Sequence, residues 1–168
     1  MSLVERYAVD HDGALALRRT HHTIRATEDR VGIYIYNHEP QASLIEVVHG
    51  GRIGRQYAYG DGLTSVEIEL DRQLAAGETT VLEYRTFFTR QSIKLTEVRR
   101  AAFARCENVD FAVEFDNSKR PSNAWWCAWD DHFDGACVIA TPADIRRGII
   151  RQFVPYIEET VVGFRWEW

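Results

Sequence analysis

The densest run of metal-type donors in the chain is Asp130-Asp131-His132-Phe133-Asp134-Gly135. Counted from Asp130, it sets donors at alternate positions and then a glycine, as a calcium loop does. Asp130, His132 and Asp134 are the residues a metal would use. However, the second of these is an imidazole, and Thr141 stands where such a loop needs a bidentate Glu. A charged hairpin turn, with Asp and Gly supplying the turn geometry, fits the run better.

Other chemistry-bearing residues are scattered. His21 and His22 are adjacent and point to opposite faces of any strand, while His38 and His49 follow separate extended runs. Zinc needs three or four convergent ligands, and no paired spacing such as H-x-H supplies them. Cys127 lies between Trp125 and Trp129, the setting of a small buried hydrophobe; a thiolate nucleophile would need a base or a helix N-terminus beside it. Glu67 and Glu69 share a strand face. Paired carboxylates can cleave glycosides, but acidic residues on one face are usually a solvated surface. Gly50-Gly51-Arg52-Ile53-Gly54 has neither the spacing nor the strand–helix context of a phosphate loop, and no G-x-S-x-G elbow occurs. No catalytic residue and no cofactor is therefore expected.

Aromatic side chains give the clearest signal. They make up 12% of the chain, and all five tryptophans lie in its last third. Rings of this size build a rigid core or a pocket or partner surface. Tyr34, Tyr36, Trp126, Trp129 and Trp166 are the candidates for ligand or partner binding.

The elements that would position these residues read as strands throughout. Val109, Phe111, Val113 and Phe115 alternate with Asp110, Ala112, Glu114 and Asp116, the period of a half-buried strand. Turn-forming residues at 117–123 lead into Ala124-Trp125-Trp126-Cys127-Ala128-Trp129, apolar on both faces, so Val109 to Asp130 reads as a hairpin. Val4–Val9 and Ala14–Ala26 flank Asp10-His11-Asp12-Gly13, a second hairpin signal. The apolar parity changes between Leu17 and Ile24, which suggests a bulge near His21-His22.

Ile33–Tyr36, Leu44–Val48, Arg52–Tyr59, Val66–Leu70, Val81–Thr89, Glu97–Arg105 and Val138–Ala140 complete the extended runs before the C-terminal region. The turn Gly60-Asp61-Gly62 interrupts them. Thr141-Pro142-Ala143-Asp144 resembles a helix start, so one helical turn is expected near 142–147, with a strand from 149. Val162, Phe164, Trp166 and Trp168 share one face of a final strand. It should pack near 125–129, bringing the Trp residues into one cluster.

About a dozen short strands with regular turns predict an all-β antiparallel β-sandwich, with a closed antiparallel barrel as the alternative. At 168 residues the chain reads as a single domain, 1–168. Met1-Ser2-Leu3 is compatible with a native start or with a scar left on one domain of a longer protein.

Twenty basic against 25 acidic residues give a net charge of −5, a poor match to nucleic acid. All the basic residues except Lys94 and Lys119 are arginine, which suits carboxylate pairing and also follows from codon bias alone. Cys106, Cys127 and Cys137 form an odd set without C-x-x-C. No signal peptide and no membrane-spanning run is present, so a reducing, cytoplasmic setting with free thiols is expected.

The functional expectation is a non-enzymatic interaction or regulatory domain with a protein partner or a second copy of itself. A small apolar or aromatic ligand is the alternative, and a hydrolase without a recognisable motif is the third reading.

Overall fold

The computed structural model describes residues 1–59, 63–89, 94–131 and 135–168. It is all-β, with 71% of the chain in strands and no helix among the described residues. In chain order the strands are β1 (Ser2–Val9), β2 (Leu15–Arg25), β3 (Val31–His38), β4 (Ala42–His49), β5 (Gly51–Tyr59), β6 (Leu63–Leu74), β7 (Thr79–Phe88), β8 (Glu97–Ala102), β9 (Cys106–Phe115), β10 (Asn123–Trp129), β11 (Cys137–Pro142), β12 (Ile149–Ile157) and β13 (Thr160–Glu167). The sheets pack face to face and none closes on itself, so the sandwich expectation holds and the barrel alternative falls. The chain divides into two compact units, one of Leu17–Thr89 and one of Ser2–Ala16 with Arg90–Trp168.

In the Leu17–Thr89 unit, an antiparallel sheet β2-β7-β4 packs on a second, β3-β6-β5. Alternation on β6 sends Val66 and Ile68 inward, where they meet Tyr36 of β3 and Leu82 and Tyr84 of β7. The expected bulge at His21-His22 is not there: β2 pairs with β7 in unbroken register from Leu17 to Arg25. The parity change arises because the inward positions of β2 include Arg18 and Thr20, both buried. A polar residue on a buried face looks, in sequence, like a switch of face.

In the other unit, β12-β9-β1 faces β11-β10-β13-β8. One pair departs from the antiparallel pattern, since β1 runs parallel to β9. With β12 on its other side, β9 is a central strand, and Val109, Phe111, Val113 and Phe115 are all buried. The proposed hairpin from Val109 to Asp130 does not form. β9 and β10 belong to opposite sheets of the sandwich, and β10 pairs with β11 and β13 instead. The segment between them crosses from one sheet to the other, so that Phe111 and Trp126 meet across the core with ring centroids 5.6 Å apart.

The helical turn expected near 142–147 is also absent. β11 continues through Pro142, and the chain then reverses at Arg147-Gly148, both at positive φ (53° and 77°). Paired backbone bonds between Arg146 and Ile149 close this turn. Two successive positive φ values define a hairpin turn of the I′ class, which Gly148 satisfies without strain. By contrast, Asp10-His11-Asp12-Gly13 turns as expected, with Asp10 Oδ1 accepting from the amides of Asp12 and Ala14.

Candidate functional site

Within the Leu17–Thr89 unit, alternation on β3 directs Tyr34, Tyr36 and His38 to one face, and β2 and β7 supply Arg18, His22, Tyr84 and Thr86 opposite them. Arg18, 3% exposed, makes a two-pronged bond to Glu39 just beyond β3: Nη1 to Oε1 at 3.1 Å and Nη2 to Oε2 at 3.0 Å. Arg18 Nη2 also donates to the Tyr36 hydroxyl, which lies 2.9 Å from Thr86 Oγ1. Arg18 further stacks over the Tyr36 and Phe88 rings. His38 donates from Nδ1 to the Glu39 carbonyl at 2.9 Å, and Tyr34 lies edge-on to His22.

A planar guanidinium in an aromatic wall fixes a carboxylate in one plane, and low dielectric strengthens the contact. Glu39 is the carboxylate it holds, and the Glu39 side chain is about one-third exposed. Tyr34 and Tyr36 thus fall in one cluster. Arg18, Glu39 and Thr86 have no local sequence signature. The alternation Tyr34-x-Tyr36-x-His38 is the only trace the cluster leaves in the chain.

In the other unit, Glu5 is fully buried on β1. It accepts from the Tyr7 hydroxyl at 2.7 Å and from Arg100 Nη1 at 3.0 Å. Cys106 lies near this group, and burial raises its thiol pKa. On the opposite face of the same sheet, Asp110 binds Arg151 through two bonds, of 2.9 and 2.5 Å, and Arg6 through one of 2.8 Å. Burial favours the neutral acid, but the bonds from Arg151 and Arg6 outweigh it, and the Asp110 carboxyl is held below its ordinary range. The folded protein therefore binds this proton less readily than the unfolded chain does. The stabilisation is complete above the unfolded pKa of about 3.9 and is lost as pH falls through the lower folded value. Asp110→Asn is expected to cost about 1–2 kcal/mol at neutral pH, since Arg151 is largely solvated. The difference from wild type should shrink in acid. Denaturant titrations at pH 7 and pH 2.5 check this, and an unchanged gap would rule the linkage out.

The five tryptophans split by strand parity. Trp126 and Trp166 face the core; Trp166 meets Phe115 at 5.1 Å and Trp126 meets Phe164 at 5.1 Å. Trp168 also packs on Phe115 and donates from Nε1 to the Leu95 carbonyl. Trp125 and Trp129 point to the other face of the sheet, under Arg165 and Arg99 respectively. The expected single cluster is therefore two, because adjacent residues of β10 cannot share a face. Trp129 and Trp166 are buried, whereas Trp126 and Tyr34 keep partial exposure.

Cys127 is fully buried between Trp125 and Trp129, and its pKa is pushed up to about 12, first by burial and then by the neighbouring Cys137 thiol. No disulfide joins the three cysteines to one another. Asp130 is exposed at the end of β10, while His132 and Asp134 lie outside the described residues, as does the Gly60-Asp61-Gly62 turn. Among the described residues no group of three or more His, Cys, Asp or Glu side chains is placed to hold a metal.

β11, the terminal strand of its sheet, is an accessible apolar element. All of it beyond Cys137 is exposed, including Val138 at 60% and Ile139 at 58%. No described helix is long and apolar enough to cross a membrane. Compared with known protein families and with characterised proteins, the sequence matches none.

Proposed function

We propose that the chain is a non-enzymatic interaction or regulatory domain that self-associates edge to edge through β11. The observation that carries this reading is the character of that edge. Exposed edge strands offer unpaired backbone donors and acceptors, and proteins that stay apart usually blunt them with lysine, inward charges or proline. Cys137–Pro142 contains no charged residue, and its proline sits only at the last position. Two copies laid antiparallel about a two-fold axis would bring identical uncharged segments together. They would cover Val138 and Ile139 and join two four-stranded sheets into one.

Sedimentation velocity across a concentration series tests the reading. The wild type is expected to shift from monomer to dimer. Ile139→Lys should remain monomeric with an unchanged melting temperature, because the residue is exposed. Ile33→Lys, an exposed apolar position on β3, should still dimerise. A wild type that stays monomeric throughout would end the self-association reading. The alternative, a small carboxylate-bearing aromatic ligand held by Arg18 in place of Glu39, would then be the better one. It rests on the two-pronged Arg18–Glu39 bond and on the rings of Tyr36 and Phe88 beside it.

A further inference from the structure

We propose that Cys127 and Cys137 are a reactive thiol pair that closes into a reversible disulfide between β10 and β11 when the protein meets a peroxide. The pairing of the two strands sets Cys127 opposite Ala140 and Trp129 opposite Cys137, with a bulge between Ala128 and Trp129. The two cysteines therefore share one face as diagonal neighbours. Cys137 packs against the cluster formed by Cys127, Trp129 and Val161. The neighbouring Cys137 thiol is also among the causes that raise the Cys127 pKa. Both thiols point at backbone carbonyls, Cys137 at Ile139 (3.2 Å) and Cys127 at Trp125 (3.9 Å).

Their environments divide the roles. Cys137 is half-buried at the sheet edge, so an oxidant reaches it first. Cys127 is fully enclosed and stays a thiol at neutral pH. The Cys137 sulfur attacks hydrogen peroxide, forming an S–O bond and breaking O–O, and its proton leaves with the displaced hydroxide as water. The Cys127 sulfur then attacks the Cys137 sulfenic acid, forming S–S while its proton leaves with the displaced hydroxyl as water. Two thiols are oxidised to one disulfide and one peroxide is reduced to two waters.

Diagonal neighbours across an antiparallel pair sit about 7–8 Å apart, and a disulfide needs Cα atoms within about 6.8 Å, so β11 must shift by roughly an ångström. As the terminal strand of its sheet, β11 is held on one side by β10 among the described residues and is exposed beyond Cys137. The inference stands on the thiol pair and holds whether or not β11 binds a second copy.

Treating the native full chain with a small excess of hydrogen peroxide, then alkylating under denaturing conditions, tests it. A protease that cuts at Asp130 and Asp131 separates the two cysteines into different peptides. Two of the three thiols should resist alkylation, the β10 and β11 peptides should remain joined, and dithiothreitol should release them. Cys106→Ser should behave the same way. The proposal is overturned if Cys137 accumulates as sulfinic acid while Cys127 still alkylates. It is equally overturned if Cys137 joins Cys137 of a second copy, a result that would support the β11 association while refuting the internal bridge.

Discussion

Removing the last five residues, Phe164 to Trp168, is expected to unfold the unit formed by Ser2–Ala16 and Arg90–Trp168. Chain ends commonly fray, but this one is built into the middle of a sheet, with β10 on one side of β13 and β8 on the other. The deletion strips β10 of its partners for Asn123 to Trp126 and β8 of its partners for Glu97 and Val98. It also removes Phe164 and Trp166 from full burial. Truncating one such aromatic typically costs about 3–5 kcal/mol, and whole domains are stable by only about 5–15 kcal/mol. Loss of near-ultraviolet circular dichroism and of a cooperative melt would be the signature. A truncated protein that melts within a degree or two of wild type would show that the strand is dispensable.

Phe111→Ala should destabilise the same unit by about 3–5 kcal/mol, again as a core truncation. Phe111 is 1% exposed on the central strand β9, and its ring bridges the two sheets through Trp126, which in turn packs on Phe164. The cavity would open where the sandwich has least room to collapse, between paired strands on both sides. Urea denaturation of the variant against wild type measures the loss. A value below 1 kcal/mol would mean that Phe111 does not lie between the sheets.

The strands were legible because period-two alternation reports burial directly, as Val66 and Ile68 against Glu67 and Glu69 illustrate. Partnerships were not. A seven-residue connection such as 116–122 can close a hairpin or carry the chain to the opposite sheet, and nothing in Val109–Trp129 distinguishes the two. Polar residues on inward faces misled in another way. Arg18 looks solvated in sequence, yet it is buried where Glu39 and Tyr36 are delivered to it from the turn after β3 and from β3, with Thr86 of β7 holding the Tyr36 hydroxyl. No linker marks the passage from one unit to the other at Ala16-Leu17, because it falls inside β2. Of the binding candidates, Tyr34 and Tyr36 stood out by their spacing. The exposure of β11 did not, since Cys-Val-Ile-Ala reads as an interior strand.

Backbone amide exchange across Cys137–Thr141, followed at low and at high protein concentration, tests the β11 association most directly. Pairing between two copies would give partners to the amides on the outer side of this edge strand. Exchange in this segment should slow as concentration rises, while the β5 segment Arg52–Gln56 is unaffected, and Ile139→Lys should abolish the dependence. Exchange across 137–141 that is the same at every concentration would contradict self-association through β11.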